Sequence, residues 1–170
     1  MNSNALKELQ APIKAKYRED PDAAVITLKA EGAIGEGVSC SVDTGRAIVE
    51  AGLHPATGGS GLQACSGDML LEALVACAGV TLNAVATALD LEVRAGRIHA
   101  EGDLDFKGTL GVDKDALVGF RGIRLTIDIE GDLTDEQLAT LTRLTERYCV
   151  VYQTLKSNPP IKVDVCVSGG

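Results

Sequence analysis

Hydrophobic positions along the chain change period several times, and each change marks an element boundary. Leu6, Leu9 and Ile13 lie at helical spacing and predict a short amphipathic helix over residues 3–18. Pro12 falls inside it, and Asp20-Pro21-Asp22 stops it. The period then becomes two. Residues 25–30 read as a strand, GAIGEG (32–37) as a turn, and VSCSVD (38–43) as a half-buried strand with Val38, Cys40 and Val42 on its apolar face. Thr44-Gly45 leads into a third short strand over 46–51, which completes a meander. A Gly-rich connection fills 54–68, with Ser66 as the expected N-cap of the next element.

That element is a long helix, ending near Leu89, and LLEALVACAGVTLNAVATAL (70–89) is apolar on nearly every side of it. Its length fits a membrane span. Its content does not, because Glu72, Thr81, Asn83 and Thr87 interrupt it, Ala outnumbers Leu, and no Lys or Arg flanks it closely. A core helix wrapped by other elements is expected instead. Gly79 near its centre weakens the helix and lets another backbone approach.

Period two returns in RIHAEGDLDFKG (97–108), with Ile98, Ala100, Leu104 and Phe106 on one face, and in IRLTIDIEGD (123–132). Thr134 and Gln137 have the spacing of a capping box, opening a helix whose stripe runs Leu138, Leu141, Leu144, Tyr148, Val151 and Leu155. Asn158-Pro159-Pro160 stops it. IKVDVCV (161–167) reads as a last strand with Ile161, Val163, Val165 and Val167 facing a core. Strands in runs, not in strict alternation with helices, define an α+β class with mostly antiparallel sheet. Residues 1–22 form a helical extension before a single domain of residues 23–170. One small sheet covers only one side of an all-apolar helix, so an intertwined homodimer follows naturally.

Composition narrows the partners. The 170 residues carry a net charge of −8, which disfavours nucleic acid and anionic membranes, since both require basic patches. Aromatics make up 3% and Trp is absent, so the core must be aliphatic. No secretory leader is visible in the first twenty residues. Five cysteines without compact spacing fit reduced thiols in the cytoplasm better than a disulfide scaffold. The two histidines, His54 and His99, and the cysteines show no paired close spacing, so no metal site is expected. HPATGGSG lacks the lysine and spacing of a phosphate-binding loop and reads as an ordinary connection.

Cys77 and Cys149 are the candidate chemical residues. A buried thiol is often only a small hydrophobe, and burial raises its pKa, so a reactive Cys77 requires a nearby cation. The dipole of its own helix contributes little about three turns from the N-terminus. Cys149 shares the apolar stripe of the second helix. Cys40, Cys65 and Cys166 read as structural.

SGDMLLEALVACAGVTL and RLTERYCVVYQTLKSNPPIKVDV resemble the two motif segments of the OsmC/Ohr family, in matching order and spacing over about residues 24–167. The resemblance implies antiparallel sheets packed around two central helices in an intertwined homodimer. It also implies a thiol-dependent peroxidase of organic hydroperoxides in oxidative-stress defence. In that scheme Cys77 attacks the peroxide, Cys149 resolves it, and an external dithiol reduces the disulfide, with no cofactor. Asp68 matches the family carboxylate that orients an activating arginine, with Glu72 as a fallback. The arginine position falls at Gly35-Glu36-Gly37, so Arg46 is the nearest substitute, followed by Arg121 and Arg147. Val150 stands where the family often has a proline after the second cysteine. The alternative is a family fold that binds a small molecule, or senses redox state slowly, without the peroxidase chemistry.

Overall fold

The computed structural model describes residues 3–34, 40–42, 52–62 and 64–166. The N-terminal helix α1 (Ser3–Glu19) ends before a 3-10 turn at Pro21–Ala24. It is anchored at its end, where Tyr17 is buried and its Oη donates to the Ala56 carbonyl at 2.6 Å. Strand β1 (Val25–Ile34) runs through Gly32, Ala33 and Ile34, residues that the turn-like composition of GAIGEG assigns to a turn. Pairing overrides that preference: Gly32 to Ile34 lie opposite β2 (Cys40–Val42), and β1 is also zipped along its length to β3 (Val93–Asp105). The rest of the turn, and the strand expected over 46–51, lie outside the described residues.

β3 pairs in turn with β4 (Phe120–Gly131), giving one antiparallel sheet in the order β2-β1-β3-β4. The alternation expected from residue 97 onward begins earlier, at Val93, and stops at Asp105. There the Asp105 carboxylate accepts the Lys107 N–H at 3.1 Å and starts a one-turn helix, α3 (Phe106–Thr109), so Phe106 leaves the sheet. On the inner face Ile98 and Ala100 are fully buried. Gly102 continues that row, and a Cβ there would stand 2.4 Å from the Phe120 ring, so the missing side chain makes room for Phe120. On the outer face Arg124 forks onto Asp103 and Glu101.

Helix α2 (Ser66–Ala88) lies across the inner face. Its N-cap is Cys65 and not Ser66, and no side chain caps it. Leu71, Leu74, Val75 and Ala78 pack with Ile98, Ala100 and Cys149, while Leu82, Val85 and Ala86 close on Leu141. Among the described residues α2 is the one helix long and apolar enough to cross a membrane, and half of its most apolar stretch is buried within the fold.

The second helical stretch opens with the capping box: Thr134 Oγ1 accepts the Gln137 N–H at 3.3 Å, and the Gln137 side chain accepts the Thr134 N–H at 2.9 Å. The continuous helix expected from 135 to 157 is instead two, α4 (Asp135–Tyr148) and α5 (Val150–Ser157), broken at Cys149. After α5 the chain takes a left-handed turn at Asn158 and runs without secondary structure through 166. The last expected strand therefore does not form within this chain. Ile161, Val163 and Val165 are 86%, 78% and 83% exposed, because no sheet edge among the described residues receives them.

Candidate functional site

The break at Cys149 creates the site. Cys149 has extended backbone (φ −69°, ψ 106°) and serves both as C-cap of α4 and N-cap of α5. A helix start leaves four N–H groups without an intrahelical partner. Here the first and the last of the four have partners. The Cys149 N–H donates to the Thr145 carbonyl at 2.9 Å. The Tyr152 N–H donates to Cys149 Sγ at 3.5 Å. The N–H groups of Val150 and Val151 lie between these two and lower the Cys77 pKa. The periodicity of 138–155 conceals this break, because apolar residues keep helical spacing on both sides of it.

Cys77 reaches this cradle from the middle of α2, where it is half-buried, while Cys149 is 1% exposed. Cys77 packs against the cluster that contains Cys149, and Thr81 follows one turn beyond Cys77 on α2. Burial alone would raise the Cys77 pKa. The N–H of Val151, the Cys149 thiol, the Thr81 hydroxyl and the N–H of Val150 outweigh it, and the net direction is down. Cys149 goes the other way. Burial is the main cause, its hydrogen bond to Cys77 and the Cys77 charge add to it, and its thiol is pushed up to about 11. The arrangement therefore separates one thiol that ionises readily from a neighbour that holds its proton.

Asp68 lies in the first turn of α2, about two and a half turns before Cys77, and is not among the groups acting on that thiol. It faces His54. Burial raises the Asp68 pKa and lowers that of His54, while their mutual attraction works against both shifts. His54 is fixed by stacking on Phe106 (5.1 Å between centroids) and by accepting the Ala56 N–H at Nδ1 (3.0 Å). The sequence gives no sign of this pairing, since a Gly-rich loop separates the two residues. Arg46 lies outside the described residues. Arg121 faces Asp105 at 4.0 Å, and Arg147 lies over the Tyr148 ring at 5.6 Å.

Cys65 shares a cavity of about 420 Å³ with His54 and Phe106, Cys166 is exposed, and the side chain of Cys40 is outside the described residues. Among the described residues no three His, Cys, Asp or Glu side chains group closely enough to hold a metal ion. Two apolar spaces open in this region, and Cys149 lines the first of them. One, of about 230 Å³ between α4 and β4, is lined by Leu82, Leu125, Leu141, Thr145 and Cys149. The other is an open groove of about 950 Å³ between the sheet and α5, lined by Leu74, Phe120, Ile123, Tyr152 and Leu155.

Two helices joined through a thiol pair against an antiparallel sheet define a class of α+β proteins with paired cysteines at the helix contact. The OsmC-like protein family matches residues 59–164, and the chain belongs to that family. Among solved structures the fold is similar to an OsmC-like hydroperoxide resistance protein from Jannaschia sp. CCS1. The TM-score is 0.64 at 14% identity, over 86% of this chain and 97% of that one. It is also similar to an OsmC-like protein from Mycoplasma pneumoniae, with a TM-score of 0.55 at 16% identity, over 78% and 86% of the two chains. No curated protein matches the sequence.

Proposed function

We propose that this protein is a homodimeric, thiol-dependent peroxidase that reduces organic hydroperoxides in the cytoplasm as a defence against oxidative stress. The observation that carries the proposal is that Cys77 packs against the cluster holding the buried Cys149, where α4 breaks into α5, with the two thiols driven in opposite pKa directions. The Cys77 thiolate attacks the distal oxygen of the hydroperoxide. An S–O bond forms, the O–O bond breaks, and the alkoxide leaves and is protonated to the alcohol. Cys77 is then a sulfenic acid. Cys149 attacks that sulfur and forms the S–S bond; the hydroxyl leaves as water, taking the Cys149 proton. An external dithiol returns both sulfurs to thiols and becomes a disulfide itself. The chemistry requires no metal or organic cofactor, and the apolar space lined by Cys149 favours alkyl over hydrogen peroxide.

The dimer is supported by two complementary features. Ile161, Val163 and Val165 alternate in an exposed, unpaired segment, and β4 is a twelve-residue strand at the edge of the described sheet. Long bare edges are an association hazard, and a strand from a second copy would satisfy both features.

The test is one equivalent of cumene hydroperoxide added to reduced protein, followed by thiol blocking and peptide mass mapping. A rapid Cys77–Cys149 disulfide is expected, with Cys149→Ser stopping at a Cys77 sulfenic acid and Cys77→Ser unreactive. If both thiols remain free for minutes, the protein keeps the family fold without its peroxidase chemistry.

A further inference from the structure

Threonines inside a helix often return their hydroxyl to the carbonyl four residues back. Thr87 Oγ1 donates to the Asn83 carbonyl at 2.8 Å, and Thr142 Oγ1 to the Leu138 carbonyl at 2.9 Å. Thr145, one turn before the break at Cys149, does not. It is 3% exposed, and its Oγ1 is buried without a hydrogen-bond partner among the described residues. An unpaired hydroxyl in the interior is costly and marks a place where a partner from outside the chain is favoured. Thr145 lines the cavity of about 230 Å³ between α4 and β4.

We propose that this cavity is a binding site for a compact, uncharged hydrocarbon bearing one hydroxyl, an aryl or branched alkyl alcohol, with Thr145 as its polar contact. The wall is mainly aliphatic, from Leu82, Leu125, Ile129 and Leu141. Apolar cavities of about 150 Å³ hold a benzene ring, so about 230 Å³ leaves room for a ring with a short branch. Water is a poorer occupant. A buried water makes about three hydrogen bonds, whereas Thr142 Oγ1 is engaged with Leu138 and Cys149 Sγ accepts the Tyr152 N–H. Glu146, exposed in the same wall, repels a carboxylate and so selects a neutral ligand over a fatty acid. Cys77 is not part of the wall, so the site goes beyond the peroxidase reading and does not rest on it. Cys149 is part of it, so an occupant packs beside the second thiol.

Position 145 allows a clean perturbation. A helical threonine has two χ1 rotamers open to it, so its hydroxyl can turn to meet a ligand that enters. T145V deletes the hydroxyl at nearly constant shape, and T145S keeps it. T145V also reads the free protein. Removing an unpartnered polar atom should keep or raise the Tm, whereas removing a hydroxyl with a partner should lower it. Ile129 lines this cavity but not the larger groove between the sheet and α5. I129W therefore fills the one space and leaves the other.

The experiment titrates the full-length reduced protein with benzyl alcohol, toluene and benzoate, followed by the methyl NMR shifts of Ile129 and Leu141. Saturable shifts are expected with benzyl alcohol and toluene, and binding of benzoate at least about tenfold weaker than benzyl alcohol. T145V should weaken benzyl alcohol about fivefold and leave toluene within about twofold; T145S should stay near the parent for both. I129W should abolish binding of both. Circular dichroism confirms folding, and if I129W does not fold, the T145V and T145S pair decides alone. The proposal is overturned by unsaturated shifts up to the solubility limit, by a T145V effect equal on both ligands, or by a lowered Tm in T145V. Benzoate binding as well as benzyl alcohol, or binding retained in folded I129W, also overturns it. None of these probes oxidises a thiol. If benzyl alcohol binds as expected but no hydroperoxide is consumed, the site stands and the peroxidase proposal fails; the reverse result removes only the site.

Discussion

Raising the pH under reducing conditions should destabilise this protein through Cys149. In the folded chain the thiol holds its proton to about 11, against an ordinary value of 9.0, because its charge would be buried beside the Cys77 thiolate. The folded state therefore binds more protons than the unfolded state between those values. The sign follows: the stabilising contribution is complete below pH 9 and is lost as the pH rises toward 11. At about 1.4 kcal/mol per pH unit, the loss is on the order of 2 kcal/mol. Total stabilities are roughly 5–15 kcal/mol and urea slopes roughly 1–3 kcal/mol per molar, so the urea midpoint should fall by about 1 M. Other groups titrate in the same range, so the informative quantity is the difference from Cys149→Ser, whose hydroxyl does not ionise. Urea titrations at pH 8, 9, 10 and 11 with a phosphine reductant would measure it. The reasoning fails if Cys149→Ser loses stability in parallel with the parent over that range. Cys77→Ser should show an intermediate loss, since it removes the neighbouring charge but leaves Cys149 buried.

Two further outcomes are expected. Asp68→Asn should lower the His54 pKa, because the carboxylate is the group that opposes its desolvation; NMR titration of the imidazole would read it, and an unmoved His54 would show that the pair does not interact. V163S combined with V165S should shift a dimer to monomer in sedimentation without unfolding the monomer, since both side chains are exposed in the chain itself.

Much of the fold was legible in the sequence because one-dimensional patterns encode it. The helix over Ser66–Ala88, the capping box at Thr134 and Gln137, and the alternation of Ile98 with Ala100 and of Leu125 with Ile127 follow from backbone geometry that repeats every 3.6 or two residues. The motif segments around Cys77 and Cys149 also marked the family before any coordinates. Local preference failed where tertiary pairing was stronger. Gly32 to Ile34 became strand because β2 and β3 supplied their hydrogen bonds, and Ile161 to Val165 did not because no edge among the described residues received them.

The site itself lay beyond the sequence for a similar reason. The alphabet named Cys77, Cys149 and Asp68, but not what each one meets. The kink at Cys149 interrupts a continuous apolar stripe without any glycine or proline to signal it. Only packing of α5 against α2 brings Cys77 into one cluster with Cys149, Val151 and Tyr152, and only the fold brings the Asp68 charge to bear on His54. Periodicity determines which residues share a face of one element. The donors that act on a buried charge come from a different element, and their arrival is decided in three dimensions.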